Sequence, residues 1–128
     1  MLKIFIKTIP HKKQRYETLG DYWISKDGTM EIRVSELKNW KEEALIAVHE
    51  IIELLLVKDR KISIKEIEKF DIEFEKNKKK KRDEPGDNKK APYYKEHQFA
   101  SKIEKMLAKE LKVNWKKYEN KCWNLHKK

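Results

Sequence analysis

The sequence predicts an α+β fold in which a small antiparallel sheet near the N-terminus packs with three or four helices. Short stretches of alternating apolar residues occur before residue 38 and are typical of strands. Longer stretches with helical periodicity follow from residue 39 onward. With 128 residues, the chain has the length of a single domain built around one hydrophobic core.

Residues 1–38 are expected to form the sheet region. The alternating residues 3–9 predict the first strand, and residues 21–25 and 30–34 predict two more. An Asp-Gly turn joins the last two strands, so we expect them to pair as an antiparallel hairpin. The sequence leaves open how the first strand joins this sheet.

Capping residues predict where the helices begin. Asn39 is followed three residues later by a glutamate, which predicts a helix from about residue 40 to residue 57. Ser63 is likewise followed three residues later by a glutamate, Glu66, which predicts a second helix over roughly residues 64–75. The predicted segments of the chain are then 1–38 (sheet), 39–75 (two helices), 76–91 (polar basic loop) and 92–128 (C-terminal helices).

Composition narrows the classes of protein that fit. The single cysteine, Cys122, excludes an internal disulfide framework and a cysteine-rich zinc site. The N-terminus has no apolar core of signal-peptide length, and the apolar run 44–57 is too short and too charged to span a membrane. We therefore expect a cytoplasmic protein without membrane contact.

The net charge of +10 and the basic run 76–82 allow nucleic-acid binding, but a solvated loop is the favoured interpretation of this run.

The stretch 44–57 is the feature around which the chain is organised. Eleven of its fourteen residues are apolar, and the others are His49, Glu50 and Glu53. A helix that is apolar on every side is normally buried, and buried ionisable groups are costly unless they are paired or bound to a metal. A metal ion is therefore a good candidate to compensate these three side chains.

The spacing of these residues is a variant of the His-Glu-x-x-His pattern. In that pattern two side chains on one helical face bind zinc, and the glutamate between them acts as general base. Here the second ligand position holds Glu53, and a carboxylate is an ordinary zinc ligand. Glu50 is the predicted catalytic base, and His49 and Glu53 are predicted metal ligands.

The remaining ligand must come from another part of the chain. His97 is the best candidate because it lies on the inward face of the predicted third helix, whereas the other candidates lie in a loop (His11) and near the charged C-terminus (His126). The predicted site is thus His49, Glu53 and His97 around zinc, with an open position for water. Iron or manganese would accept the same ligands.

Four further residues are predicted to support this site. Glu104, two turns along the helix from His97, is expected to orient a histidine or hold a substrate group. Asp71 is expected to accept the free ring N–H of a ligating histidine. Tyr93 or its neighbour is expected to donate a hydrogen bond to a developing oxyanion. Asp87 is a further site candidate because its loop directly precedes the third helix.

The order of a small sheet, a helix with His49-Glu50-x-x-Glu53 and a later helix with His97 resembles a minimal zincin-type metallopeptidase domain. This resemblance implies a zincin-like fold and hydrolysis of a peptide or amide bond by metal-activated water. The chain departs from the family pattern at Glu53, where a zincin has its second histidine.

The chain also resembles a group of short, uncharacterised phage and prophage proteins. The matching stretches are residues 8–10, 33–37, 48–53, 84–87 and 91–97. This resemblance extends over most of the chain. It implies a phage-related protein in the cytoplasm of a host cell, and it brings no reaction with it.

Three alternatives stay open at this point. The buried polar groups could form a hydrogen-bonded network without a metal. A small basic protein could instead act without catalysis, by binding a host protein or nucleic acid. A magnesium-dependent nucleotide-processing enzyme is the third alternative. The carboxylates for such a site would be Glu50, Glu53, Asp71 and Glu104. The sequence leaves the substrate and the oligomeric state open.

Overall fold

The structure, a computed structural model that describes residues 1–125, has a three-stranded sheet followed by four helices. The predicted α+β class is therefore confirmed. The alternative ligand His126 lies outside the described residues. The elements are β1 (Ile4–Ile9), β2 (Gly20–Ile24), β3 (Met30–Ser35), α1 (Trp40–Asp59), α2 (Ile64–Asn77), α3 (Tyr94–Glu110) and α4 (Trp115–Leu125).

The sheet is mixed rather than antiparallel throughout, which corrects the prediction. β3 lies in the centre and pairs with β2 in the predicted antiparallel hairpin, but β1 runs parallel to β3 on its other edge. The reason is the length of the connection, residues 10–19, which crosses the end of β3 and carries β2 to the far side. Backbone hydrogen bonds hold this crossing, from Ser35 N to Leu19 O (2.8 Å) and from Glu36 N to Ile9 O (2.8 Å).

The hydrophobic core lies between the sheet and α1. Alternate residues of β3, among them Ile32 and Val34, are completely buried. Leu45, Leu54 and Val57 of α1 are also completely buried, and α1 packs against β2, β3 and α3. The sheet therefore supports α1 on one side, while α3 approaches it from another.

The first helix begins at the predicted cap residue and buries its ionisable side chains. The side chain of Asn39 accepts hydrogen bonds from the amides of residues 41 and 42, at 3.0 and 3.2 Å, which confirms the predicted cap. Burial is not uniform around the helix, however, because Leu55 is 37% exposed. The most buried positions form one stripe, and that stripe contains His49, Glu50 and Glu53. The ionisable residues therefore point into the protein, whereas some of the apolar residues do not.

The other helices follow the predictions within a few residues. α2 is capped by Ser63, whose hydroxyl accepts from the amide of Glu66 (3.3 Å), and it ends at Asn77. The predicted loop 76–91 contains a short 3₁₀ helix, Pro85–Asp87, that packs on α2 and α3. Among residues 1–125, no helix combines the length and the apolar character needed to cross a bilayer.

Two neighbouring leucines on α1 test this packing. Leu54 is completely buried and Leu55 is partly exposed, so Leu54→Ala leaves a cavity in the core whereas Leu55→Ala does not. We expect Leu54→Ala to lower the free energy of unfolding by about 2–5 kcal/mol and Leu55→Ala by less than about 1 kcal/mol. Urea denaturation of both variants in chelator measures the difference. Equal losses would contradict the assigned buried face.

Candidate metal centre

Three buried donor atoms from α1 and α3 meet at one point. His49 and Glu53 are one turn apart on α1, and His97 lies in the first turn of α3. His49 Nε2 is 3.1 Å from Glu53 Oε2 and 3.2 Å from His97 Nδ1, and the remaining side of the triangle, from His97 Nδ1 to Glu53 Oε2, is 2.9 Å. The structure therefore brings the three predicted ligands together.

The size of this triangle fits a small divalent ion. Zinc binds nitrogen and oxygen ligands at about 2.0–2.1 Å, and tetrahedral geometry then separates the donor atoms by about 3.3 Å. The observed separations of 2.9–3.2 Å are only a few tenths of an ångström shorter. Two imidazole nitrogens and one carboxylate oxygen suit zinc, and iron and manganese accept the same set.

A carboxylate orients the first histidine. Glu104 Oε1 lies 2.8 Å from His49 Nδ1, and the hydroxyl of Tyr118 donates to the other oxygen of Glu104 at 2.6 Å. A carboxylate on the outer ring nitrogen holds a proton there and directs the lone pair of Nε2 toward the site. The contact thus matches the predicted role of Glu104 in orienting a histidine.

A tyrosine orients the carboxylate ligand. The Tyr22 hydroxyl donates to Glu53 Oε1 at 2.7 Å, which leaves Oε2 for the two histidines. Burial acts to raise the pKa of Glu53, but hydrogen bonds with His49 and His97 outweigh it and lower the pKa to about 2. Glu53 is therefore a carboxylate at any physiological pH.

The second histidine is held by the loop that precedes α3. A Cβ at Gly86 would lie 2.4 Å from His97 Cγ and Nδ1, so only glycine permits this close approach. His97 Nε2 lies 3.4 Å from Asp87 Oδ1 and 3.6 Å from Glu84 Oε2. This nitrogen is buried and has no hydrogen-bond partner within residues 1–125.

The charges in the cluster permit exchange between protons and a metal ion. Burial acts to lower the pKa of His49, but hydrogen bonds to Glu104 and Glu53 outweigh it and raise the pKa well above its ordinary value. Asp87 and Glu53 likewise outweigh the effect of burial and raise the pKa of His97. Two protonated rings carry the same charge as neutral rings around one divalent ion. A metal can therefore replace these protons without a change of net charge.

The predicted base lies directly beside the three ligands. Glu50 Oε2 is 3.9 Å from His49 Nε2, and its carboxyl group packs on Gly20, where a Cβ would lie only 2.7 Å from Glu50 Cδ. Burial and the charge of Glu53 raise the pKa of Glu50 well above its ordinary value. A carboxylate with a raised pKa accepts a proton more readily than an exposed one, as a general base must.

Asp71 and Tyr93 do not take the roles predicted from the sequence. The Tyr93 hydroxyl donates to Asp71 Oδ1 at 2.6 Å, and the Tyr16 hydroxyl lies 3.4 Å from Oδ2. Asp71 therefore accepts from tyrosines and not from a histidine ring, and the Tyr93 hydroxyl is already engaged. The positions of the two residues explain this difference. Tyr93 directly precedes α3, and its side chain extends to Asp71 on α2.

A cavity of about 200 Å³ opens beside the cluster. Its lining includes His49, Glu50, Glu53 and His97, so a molecule in the cavity would contact the ligands and the base together. This arrangement of a polar cluster at the wall of a cavity is typical of binding and catalytic sites.

Sequence reasoning missed four residues that shape the site. They are Tyr22, Glu84, Gly86 and Tyr118. Two signals in the sequence point to them. Glu84 and Gly86 share the polar turn that contains the predicted Asp87, and Tyr118 lies in the segment 92–128 that is predicted to be helical. Only the three-dimensional contacts reveal that Tyr22 reaches Glu53.

The basic run 76–82 partly packs on the protein. Lys78 pairs with Glu75 at 2.8 Å and lies 5.3 Å from the centre of the Trp123 ring. Arg82 donates to the side chain of Asn120 at 2.7 Å. These contacts fit a structural role for part of the run, and nucleic-acid binding through it stays the less favoured alternative.

No protein-family model, curated protein or solved structure matches this chain. The zincin-like and phage-related resemblances therefore stay predictions.

The buried carboxyl of Asp71 predicts a specific pH dependence of stability. Burial raises the pKa of Asp71 to about 7, against the opposing hydrogen bond from Tyr93, whereas the group ionises near pH 4 in an unfolded chain. Protonated Asp71 thus stabilises the folded protein most below about pH 4, and this contribution is lost as the pH rises to about 7. Asp71→Asn cannot ionise and should lack this loss.

Urea denaturation of metal-free wild type and Asp71→Asn between pH 4 and pH 8 measures the effect. The wild type should lose stability relative to the variant as the pH rises, by up to about 1.4 kcal/mol for each unit of pKa shift. A difference between the two proteins that is the same at pH 4.5 and pH 7.5 would show that Asp71 titrates normally.

Proposed function

We propose that the protein is a metal-dependent hydrolase whose ion, zinc by preference, is held by His49, Glu53 and His97. The observation that carries this proposal is the convergence of three buried donor atoms, all within 3.2 Å of one another, at the wall of a cavity. The neighbouring carboxylate of Glu50 adds a group suited to accept a proton.

Support for the metal comes from the way the ligands are positioned. Glu104 and Tyr22 bind the outer atoms of His49 and Glu53, so the inner atoms of both side chains face the third ligand. Such outer contacts accompany metal ligands in proteins and set their orientation.

The magnesium alternative has less support from the geometry. Magnesium prefers oxygen ligands in octahedral geometry. The carboxylates considered as magnesium ligands are hydrogen-bonded to different side chains. Glu104 contacts His49, and Asp71 contacts Tyr93. The one set of three donors within residues 1–125 that is buried throughout contains two nitrogens, which favours zinc over magnesium.

The proposed reaction is hydrolysis of a peptide or amide bond, with the substrate class taken from the resemblance to zincins. When bound, the ion would supply Lewis-acid activation of a water molecule. Glu50 would take the proton from that water as it attacks the substrate and then deliver the proton to the leaving nitrogen. Glu104 and Tyr22 would keep the ligands in position throughout, and the cavity would hold the substrate beside them.

Metal analysis of matched variants tests the ligand set. Wild type, purified without chelator or a metal-affinity tag, should contain about one zinc, iron or manganese per chain. His49→Ala, Glu53→Ala and His97→Ala should each lose most of it, since a site with two protein ligands binds weakly. His11→Ala is the matched control, because the side chain of His11 contacts Ser35 and Glu17 and none of the three proposed ligands, and it should keep the metal.

Glu50→Gln separates metal binding from catalysis in the same set. This variant should retain the metal, and it should lose at least about 100-fold in the hydrolysis of chromogenic amides, because glutamine cannot accept the proton. Circular dichroism shows that each variant is folded. Wild type without metal, even after incubation with zinc, would contradict the proposed function. Unchanged hydrolysis in Glu50→Gln would remove Glu50 from the reaction.

A further inference from the structure

The cavity beside the metal site is acidic, although the protein as a whole is basic. The chain has 32 Lys and Arg residues against 22 Asp and Glu. Ten of the residues that line the cavity are Asp or Glu, and within residues 1–125 none is Lys or Arg. His49 and His97 also line the cavity, and the ten carboxyl groups outnumber these two rings, so that the cleft concentrates positive ions. The distribution of charge therefore favours positively charged ligands in this cavity.

Several of these carboxylates already bind cationic side chains of the chain itself. Arg15 pairs with Asp21 and Glu68, two of the lining residues. Lys78 pairs with Glu75 at 2.8 Å and lies over the ring of Trp123, and both of these partners also line the cavity. The wall of the cavity thus already binds one ammonium group, that of Lys78, through a carboxylate and an aromatic ring.

Other carboxylates are left for a ligand. Glu84 and Glu119 line the cavity, and no Lys or Arg within residues 1–125 forms an ion pair with either of them. The side chain of Glu84 is 49% exposed, so it is accessible to a molecule that enters from solvent. Glu119 can therefore meet an incoming positive charge without giving up an ion pair within residues 1–125, and Glu84 would share its charge between that group and His97 Nε2, which lies 3.6 Å away.

A buried ring nitrogen lies at the same edge of the cavity. His97 lines the cavity with a side chain that is nine-tenths buried, and its Nε2 makes no hydrogen bond within residues 1–125, its nearest acceptors being Asp87 Oδ1 at 3.4 Å and Glu84 Oε2 at 3.6 Å. With Nδ1 directed to the metal, Nε2 carries the proton and is a donor. A ligand that brings an acceptor oxygen, such as an amide carbonyl, as well as a positive charge would suit this edge.

From these observations we infer that the substrate is a cationic amide or peptide with a lysine-like or arginine-like group. Glu84 and Glu119 would bind this group together with the aromatic side chains of the lining, which include Trp115, Tyr118 and Trp123. This inference rests on the proposed function, because it names the substrate class of the same site. It differs from metal attraction alone, since Glu119 belongs to neither group of side chains that could hold an ion, His49 with Glu53 and His97 or Glu84 with Asp87 and His97.

Three probes that differ only in the side chain test this inference. They are Nα-acetyl-lysine amide, Nα-acetyl-norleucine amide and Nα-acetyl-glutamate amide, titrated by calorimetry or NMR into the zinc-loaded full chain. Norleucine has the carbon chain of lysine without the ammonium group. We expect the lysine probe to bind at least about tenfold more tightly than the norleucine probe and the glutamate probe to bind most weakly, with a preference that shrinks as salt is added.

Charge-matched variants assign the effect to this cavity. Glu84→Gln and Glu119→Gln should each reduce the preference for lysine over norleucine, and the double variant should remove most of it. Glu110→Gln is the control, because Glu110 is exposed at the end of α3 and does not line the cavity. It removes the same charge and should leave the preference unchanged.

The outcomes separate this inference from the proposed function. Equal binding of the lysine and norleucine probes, preference for the glutamate probe, or no binding of any probe at about 10 mM by a zinc-loaded protein would overturn the inference and leave the metal site intact. Failure of the protein to hold zinc would overturn the proposed function. The same titrations on the metal-free protein would then still decide the charge preference of the cavity.

Discussion

The burial of ionisable groups within the first helix is the constraint on which the rest of the structure depends. His49, Glu50 and Glu53 lie in the buried stripe of α1, where apolar residues would be expected. Burying such groups is costly unless each one finds a partner. The partners come from every surrounding element, with Tyr22 on β2, His97 and Glu104 on α3, and Tyr118 on α4. The helices are therefore arranged around a polar centre as well as around an apolar core.

This arrangement couples the stability of the protein to what occupies its centre. Without a metal, two protonated histidines balance the carboxylates of Glu53 and Glu104. With a divalent ion, the same charge sits on one atom bound by three ligands. Metal sites that form only in the folded chain contribute their binding free energy to folding. The acidic cavity and the polar centre are adjacent, so the proposed substrate and the proposed ion would share one electrostatic environment.

Local signals in the sequence were enough to predict the helices and to place two of the candidate ligands on one helical face. The Asn39 cap and the position of His49 and Glu53 depend on spacing within one helix, which a sequence shows directly. His97 was chosen because it lies on the inward face of a patterned helix, and the structure places it beside His49 and Glu53. The mixed sheet was not predicted, since the placement of β1 depends on how residues 10–19 cross the end of β3.

The contacts between distant segments explain the other differences. Asp71 was predicted to contact a histidine, but its choice of Tyr93 depends on the relative position of α2 and the start of α3. The close packing of Gly86 on His97 likewise depends on the path of the loop before α3. A sequence pattern gives the side of an element on which a residue lies, but it does not give the distance between two elements. Supporting residues are therefore harder to predict than ligands that share a helix.

The most direct test of the central claim is a crystal structure of the zinc-incubated protein with diffraction data on both sides of the zinc absorption edge. The account predicts one strong anomalous peak within about 2.0–2.2 Å of His49 Nε2, Glu53 Oε2 and His97 Nδ1. A peak held instead by Glu84, Asp87 and the outer nitrogen of His97 would contradict the assigned ligand set. The absence of any peak between α1 and α3 would show that the buried cluster is a structural network without a metal.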